Sequence, residues 1–261
     1  QDEEDRRVGD AFLARLEPFL KAQVDPDEID RTGEYPQDMF DLLRELGVFT
    51  LPFPEAYGGR DSLLAACVAT EELGRVCYNT GYLLVVQWTP FGAIMAAGSP
   101  AQRDRYLPGL ASGDLRAAFS LTEPQSGSDV AGITTRARKV AGGYRITGAK
   151  IWCTNALVSD FIVLAAKTGD ARGEINFFIL PTDAEGLEIG PQEDKLGARG
   201  VPSSPLYLTD VFVPADAMLG PERKGFRQVM EALALSRPIV GARAVGLAPG
   251  ALDHALAFMR E

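Results

Sequence analysis

The chain has 261 residues, a net charge of -10 and 46% apolar residues, which suits a globular protein of one large domain or two smaller ones. The acidic balance disfavours binding to nucleic acid or to anionic membranes, because both carry negative charge. No apolar run approaches the roughly 18–20 residues of a membrane span, and the first residues are charged, so we expect neither a membrane span nor a signal peptide.

The chain contains one histidine, His254, and three cysteines that lie far apart in the sequence. These residues are too few and too scattered for a zinc site rich in His or Cys. A Ser-His-Asp triad would need His254, which lies in a helical pattern without an accompanying GxSxG motif. Cysteines without CxxC spacing are typical of a reducing compartment, so we expect a cytoplasmic protein.

The beginning of the chain is predicted to be helical. Apolar residues recur at helical spacing between Phe12 and Leu20, and again between Met39 and Leu46, where Gly47 is placed as a C-cap. The segment PEAYGG at 54–59 is predicted to be a loop. The apolar positions of the first helix are Phe12, Leu13, Leu16, Phe19 and Leu20.

Three more helices are predicted before residue 116. Residues 62–79 and 82–97 have the pattern of two buried helices, with small residues that permit close packing. The segment Ser99–Gln102 then combines an N-cap serine, a proline at the first helical position and a capping-box glutamine. It predicts a short helix through Leu107.

The periodicity changes near residue 116 and favours strands. Residues 134–140 and 144–147, separated by the turn AGG, predict a β-hairpin. Further short β-rich runs, with Gly and Pro between them, predict a small β-barrel or sandwich. These further runs are 161–166, 175–180, 206–208 and 211–213.

From Gly225 the helical period returns and continues to the last residues. The order of elements predicts an α+β fold with a helical domain at 1–115, a β-barrel or sandwich domain at 116–224 and the start of a helical bundle at 225–261. A Rossmann domain is disfavoured, because the glycine pairs lack GxGxxG spacing and the required strand-to-helix setting.

One segment with chemical potential is FSLTEPQSGSD at 119–129, at the junction of the helical and β regions. Ser126-Gly127-Ser128 offers backbone N–H groups and two hydroxyls suited to a phosphate or diphosphate. Thr122 adds a hydroxyl and Phe119 an aromatic face. Composition alone favours a polar interdomain turn over such a site.

A second such segment is KIWCTNA at 150–156. On an extended strand, Trp152 and Thr154 would lie on the same face. A flat ring beside a hydroxyl suits an aromatic cofactor, and a core tryptophan with a strand threonine is the structural alternative.

Together these segments and others along the whole length resemble the acyl-CoA dehydrogenase flavoprotein family. The matching motifs are PEAYGG (54–59), EEL (71–73), YLPGLASGD (106–114), FSLTEPQSGSD (119–129), GAKIWCTNA (148–156), DKLGARG (194–200), VFVPADAMLG (211–220) and GFRQVMEALALSRP (225–238).

The resemblance implies FAD as cofactor, usually in a homotetramer, held between the middle and C-terminal domains. By this analogy Phe119, Leu121 and Thr122 would line the flavin, and Gly127 and Ser128 would face the diphosphate. Within the segment Trp152–Thr154, the tryptophan would cover the ring, Cys153 would belong to the cofactor site and the threonine would bond near N5.

The implied reaction is α,β-dehydrogenation of an acyl-CoA, or a related acyl thioester, to the 2-enoyl thioester. It requires a positioned base for the weakly acidic α-proton. An electron-transfer flavoprotein or a similar acceptor would reoxidise the flavin. Ser128 and Arg237 are the residues expected near the substrate.

The base is where the sequence departs from the family. Most members use a glutamate beyond the position equivalent to Glu261, and some use a carboxylate just before the first C-terminal arginine. Here that second position is Ser236, and Ala234 replaces an aspartate that often contacts CoA. The catalytic base is therefore expected beyond Glu261, and no catalytic residue is assigned within the chain.

Three explanations for the absent base fit the sequence: part of a longer protein, one subunit of a heteromeric dehydrogenase, or a non-catalytic relative that binds flavin or CoA. A carrier-protein-linked dehydrogenase or an oxidase is a further alternative.

Two other carboxylates are poor base candidates. Glu123 is interpreted as a turn residue and Asp129 as a local backbone cap. Gln87, Trp88 and Phe91 lie on the helix that, by analogy, floors the acyl pocket. Gln87 and Trp88 either shorten that pocket or simply pack in the core.

Overall fold

Helices form the first part of the molecule in the computed structural model, which describes residues 3, 7, 10–16 and 24–260. Residues 10–16 are helical, and Phe12 and Leu16 are buried as their spacing predicts, whereas Phe19 and Leu20 lie outside the described residues. The following helices are α1 (Pro26–Thr32), α2 (Gln37–Glu45), α3 (Leu63–Val76), α4 (Tyr78–Ala97) and α5 (Pro100–Ser112).

The predicted helix boundaries are mostly confirmed by their capping contacts. The amide of Gln102 donates to Ser99 Oγ at 3.2 Å, and the amide of Ser99 donates to Gln102 Oε1 at 2.8 Å, which is the predicted capping box. The C-cap of α2 is Leu46 rather than the predicted Gly47, which comes next in the chain with a left-handed φ of 73°. Helix α5 runs past the predicted end at Leu107 to Ser112, and a short 3-10 turn lies inside the predicted loop at 54–59.

The middle of the chain forms one mixed sheet. The strands are β1 (Ala117–Ser120), β2 (Arg136–Val140), β3 (Gly143–Thr154), β4 (Phe161–Lys167), β5 (Ile175–Pro181), β6 (Leu187–Ile189), β7 (Ser203–Pro214) and β8 (Met218–Leu219). Their hydrogen-bonded order is β6-β7-β3-β2-β4-β5-β8, and β1 pairs in parallel with β4. The predicted hairpin is confirmed as β2 and β3.

The prediction of separate strands at 206–208 and 211–213 was wrong, because both segments belong to β7. Opposite β3, Val211 pairs with Ile146 and Leu208 pairs with Gly148, so two residues of β7 face one residue of β3. Asp210 adopts a left-handed φ of 53° at this β-bulge. A bulge breaks the alternation of side chains without ending the strand, and the sequence pattern therefore looked like two strands.

Strands β4 and β5 are buried on both faces, in agreement with their continuous apolar runs. Phe161 and Val163 belong to the hydrophobic cluster shared with the helices, whereas Ile162 and Leu164 belong to a second cluster on the opposite face. Strand β5 alternates in the same way. The helical part and the β part therefore share these two strands as a common wall.

Helix α6 (Gly225–Phe258) confirms the predicted return of helical structure and packs on α3 and α4. The absence of a side chain at Gly246 allows α6 to approach α3 closely. A Cβ added there would lie only 1.9 Å from the carbonyl oxygen of Glu71. Apolar residues on its other side, such as Val245 and Leu252, are exposed. Among the described helices, none is long and apolar enough to cross a lipid bilayer.

Candidate functional site

The two segments singled out in the sequence lie side by side at the edge between helices and sheet. The amide of Ile151 donates to the carbonyl oxygen of Thr122 at 3.0 Å. The Lys150 Nζ donates to the carbonyl oxygen of Leu121 at 3.1 Å. Residues 119–123 therefore run along the end of β3, and the two segments form one continuous surface.

A buried ion pair joins the same segments. Lys150 Nζ lies 2.8 Å from Glu123 Oε1, and the two side chains are 0% and 1% exposed. Glu123 also accepts hydrogen bonds from the amides of Thr134 and Thr135 and from the Gln125 side chain. A buried charge is tolerated only when it is paired and hydrogen-bonded, and both conditions are met here.

Burial and the ion pair shift the pKa of each group in opposite directions. Burial raises the pKa of the Glu123 carboxyl, but attraction and hydrogen bonding to Lys150, together with bonds from Thr135 and Thr134, outweigh burial and bring this pKa to about 2. Burial lowers the pKa of the Lys150 ammonium to about 8, against the opposing effect of Glu123. The carboxylate is thus ionised over the physiological range and unsuited to act as a base.

The interpretation of Glu123 as a turn residue holds for its backbone. Its amide donates to the carbonyl oxygen of Ser126 at 2.9 Å, and the amide of Ser126 returns the bond at 3.0 Å. The ion pair with Lys150 was not predicted. A signal was present, since β-alternation places Lys150 on the buried side of its strand, where a lysine requires a partner.

The loop at 126–129 exposes only part of its predicted phosphate-binding groups. Gly127 and Ser128 are exposed, and a Cβ at Gly127 would meet no atom within 4 Å, so its backbone is open to a ligand. The hydroxyl of Ser126 is instead buried and donates to the carbonyl oxygen of Asp129. The predicted cap by Asp129 was wrong, since its side chain makes no cap bond and pairs with Arg172.

The second segment presents an indole and a hydroxyl. Trp152 is 62% exposed and has a left-handed φ of 54°, at a bulge in the pairing of β3 with β7. Thr154 is half-buried, and its Oγ1 lies 3.3 Å from the Tyr82 hydroxyl and 3.1 Å from Ser203 Oγ. Regular alternation, which the prediction assumed, is thus interrupted at Trp152.

Cys153 lies between these two residues and points the other way. Its side chain is 1% exposed and belongs to the cluster on the far face of the sheet. Burial raises the pKa of its thiol to about 12. Its place in a cofactor site remains a prediction, and only its backbone is available for such a contact.

The remaining predicted residues of the first segment line the junction. Phe119 is half-buried, and its ring stacks on that of Phe177 with centroids 5.4 Å apart. Leu121 and Thr122 are half-buried as well. Each therefore has part of its surface available to a neighbouring molecule.

A cavity of about 260 Å³ lies between α4, α6 and the loop before α3. Its walls are largely apolar and include Val85, Trp88 and Phe91, and Ser236 lies on its α6 side. Trp88 is held by a hydrogen bond from Nε1 to the carbonyl oxygen of Phe49 at 3.0 Å. Of the residues assigned by analogy to the pocket floor, Trp88 and Phe91 line this cavity.

Gln87 has a structural role instead. Its side-chain amide donates to the carbonyl oxygen of Leu115 at 2.6 Å, and the side chain is buried.

Arg237 is exposed beside Ser236, and its predicted contact with the substrate stays a prediction. Within the described residues, no cluster of His, Cys, Asp and Glu suits a metal ion.

These features define an α+β protein with a largely apolar cavity among its helices and a polar surface at the junction between helices and sheet. Family models describe both parts: the acyl-CoA dehydrogenase N-terminal domain matches residues 9–114 and the middle domain matches residues 118–211. The chain belongs to the acyl-CoA dehydrogenase family.

Individual relatives show the same similarity. A probable acyl-CoA dehydrogenase of Bacillus subtilis is 38% identical over 94% of this chain and 67% of its own length. Cyclohexane-1-carbonyl-CoA dehydrogenase of Geobacter metallireducens is 38% identical over 89% of this chain and 62% of its length. The chain thus spans about two thirds of the first of these relatives and less of the second.

Solved structures share the fold. Butyryl-CoA dehydrogenase from Megasphaera elsdenii has a TM-score of 0.90 at 33% identity, covering 96% of this chain and 68% of that one. A glutaryl-CoA dehydrogenase from Mycobacterium smegmatis, in complex with FADH2, has a TM-score of 0.87 at 27% identity, covering 98% and 65%.

The residues present fit a flavin. The exposed indole of Trp152 provides a flat surface, and the half-buried Thr154, two residues further along, provides a hydroxyl for hydrogen bonding. The open backbone at Gly127 and the exposed Ser128 provide small groups suited to a diphosphate.

Proposed function

We propose that the protein is an FAD-dependent dehydrogenase that converts an acyl-CoA, or a related acyl thioester, to the 2-enoyl thioester. The observation that carries this proposal is the joining of segments 119–129 and 150–154 by the Ile151–Thr122 bond and the Lys150–Glu123 pair. The contacts support one cofactor surface made of the indole, the hydroxyls and the open loop. Tyr82, whose hydroxyl lies 3.3 Å from Thr154 Oγ1, is one helical turn from Val85 of the apolar cavity.

Each residue has a role in holding the cofactor. Trp152 would cover the flavin ring, and the hydroxyl of Thr154 would donate a hydrogen bond near N5. Phe119, Leu121 and Thr122 would line the ring, and Gly127 and Ser128 would bind the diphosphate. When bound, FAD supplies the hydride acceptor for the substrate β-carbon.

The base is proposed to lie beyond Glu261 or on a related subunit. The reason is that the cavity presents a hydroxyl, Ser236, at the position where some relatives carry a carboxylate. Arg237 beside it is proposed to contact the substrate. We also propose that the helical domain ends at residue 115, that the β-domain ends at residue 224, and that the C-terminal helical domain begins at residue 225.

The substrate class, the electron acceptor, the assembly and the location are proposed from the similarity to known family members. The relatives named above include dehydrogenases of butyryl-CoA and cyclohexane-1-carbonyl-CoA, so the proposed substrate is an acyl-CoA. The proposed acceptor is an electron-transfer flavoprotein or a similar protein, and the proposed assembly is a homo-oligomer or a heteromer with a related subunit. The free cysteines support a reducing, cytoplasmic location.

The test is a titration of the purified protein with FAD, followed by anaerobic addition of acyl-CoA thioesters. We expect FAD to bind. We also expect the acyl-CoA to bleach the flavin absorbance when the protein includes the segment or subunit that supplies the base. Thr154→Val should lower FAD affinity by about fivefold, since one hydrogen bond contributes about 1 kcal/mol. Thr89→Val is the matched control, because its hydroxyl bonds only its own helix at Val85.

Protein that binds no FAD would overturn the proposal. Protein that binds FAD and acyl-CoA but does not transfer electrons, even with its full sequence and partner subunits, would identify a non-catalytic relative. Rapid oxygen consumption would identify an oxidase, and preference for a carrier-protein thioester would identify a carrier-linked enzyme.

A further inference from the structure

A buried arginine on α6 has no hydrogen-bond partner in the described part of the chain. Arg243 is 9% exposed, and its Nε and Nη1 atoms are buried without an acceptor. No described carboxylate lies within ion-pair distance of it. An arginine is always charged, so its burial without an anion leaves a free-energy cost that a ligand can relieve.

Two aromatic rings hold this guanidinium in place. Its Cζ lies 4.7 Å from the ring centroid of Tyr78 and 4.4 Å from that of Tyr82. Gly74 of α3 lies close to the same arginine. A Cβ added at Gly74 would lie 2.9 Å from the Arg243 carbonyl oxygen and 3.3 Å from the Arg243 Cγ atom. The missing side chain at Gly74 makes room for the arginine. The aromatic contacts stabilise the cation without satisfying the buried N–H donors at Nε and Nη1.

The position of Arg243 connects it to both parts of the proposed site. The hydroxyl of Tyr82 lies 3.3 Å from Thr154 Oγ1, so a single tyrosine separates the guanidinium from the proposed flavin edge. One helical turn from Tyr82 is Val85, and one turn from Arg243 is Ile239, and both line the apolar cavity. The seam between α4 and α6 therefore continues from the cavity to Arg243, which lies one helical turn beyond the residues that line it.

We propose that Arg243 determines substrate specificity by binding a carboxylate at the far end of a short acyl group. This inference rests on the proposed function and narrows its substrate to acyl thioesters of dicarboxylic acids. The planar fork of a guanidinium matches a carboxylate in two parallel hydrogen bonds. A site built for such a bond discriminates strongly against an analogue that lacks the partner.

The experiment compares glutaryl-CoA with hexanoyl-CoA, which has a similar length but no carboxylate, by calorimetric titration of the flavin-loaded protein. The wild type should bind glutaryl-CoA at least tenfold more tightly. Arg243→Met, which keeps an unbranched side chain without charge, should abolish this preference through loss of glutaryl-CoA affinity. Arg227→Gln is the control, because Arg227 is an exposed arginine on the same helix paired with Glu231.

Several results would overturn the inference. Equal binding of the two thioesters by the wild type would refute it while leaving the proposed function intact, whereas failure to bind any acyl-CoA would refute both. An equal loss of FAD or free CoA affinity in Arg243→Met would assign the anion to those molecules. If Arg243→Met does not fold, Arg243→Lys decides, and unchanged selectivity in that variant would contradict a bidentate contact.

Discussion

The ammonium of Lys150 and the carboxylate of Glu123 form a 2.8 Å ion pair that is sealed from solvent between the two segments of the candidate flavin site. Neither group touches the proposed ligand surface directly. The pair instead fixes the loop at 121–126 against the end of β3. Its hydrogen bonds also reach Thr134 and Thr135 at the entrance to β2.

Breaking this pair from one side should be more harmful than removing it whole. Glu123→Gln leaves the Lys150 ammonium buried without its counter-charge and should lower the free energy of unfolding by about 3–5 kcal/mol. Adding Lys150→Met to that variant should recover a substantial part of the loss. Urea denaturation of the wild type, both single variants and the double variant measures the coupling. A double variant no more stable than Glu123→Gln would contradict this account.

The same pair predicts an acid dependence of stability. The folded pKa of Glu123 is about 2, below the ordinary value of 4.5, so its stabilisation is fully present above pH 4.5 and is lost as pH falls toward 2. The loss of unfolding free energy between pH 7 and 2.5 should be about 2–3 kcal/mol larger in the wild type than in Glu123→Gln/Lys150→Met. Parallel denaturation curves at both pH values check this. Identical losses would exclude a depressed pKa.

The two tryptophans provide a matched comparison of stability. Trp88→Phe removes the hydrogen bond to the carbonyl oxygen of Phe49 and should cost about 1–3 kcal/mol. Trp152→Phe changes an exposed side chain and should stay within about 0.5 kcal/mol of the wild type. Thermal and urea unfolding measure both. A larger cost for Trp152→Phe than for Trp88→Phe would contradict the observed burial.

The sequence was sufficient for the architecture because local signals agreed with it. The capping box at Ser99, the hairpin turn at 141–143 and the apolar runs of β4 and β5 each depend on residues close in sequence. The join within β7 was missed because a bulge at Asp210 imitates a strand end in an alternating pattern.

Contacts between distant residues were the part of the site that sequence reasoning did not find. Lys150 and Glu123 are 27 positions apart, and Arg243 meets Tyr78 and Tyr82 only when α6 packs on α4. No local periodicity encodes such pairings. The flavin segments were found because their residue types matched a known family.

Two glycines of α6 should respond in opposite ways to alanine. Gly246→Ala would place its Cβ 1.9 Å from the Glu71 carbonyl oxygen, so it should force α3 and α6 apart and cost about 1–3 kcal/mol. Gly241→Ala meets no atom within 4 Å and should raise helix stability by up to about 1 kcal/mol. Differential scanning calorimetry of both variants checks this. A stabilised Gly246→Ala would show that these helices are not in backbone contact.

The common wall formed by β4 and β5 has a consequence for how the molecule responds to damage. Since adjacent residues of one strand, such as Val163 and Leu164, serve opposite hydrophobic clusters, neither cluster can lose its packing while the other keeps an intact boundary. The helical and sheet portions are thereby thermodynamically coupled. A weakening substitution in either one is transmitted to the junction between them, where the candidate site lies.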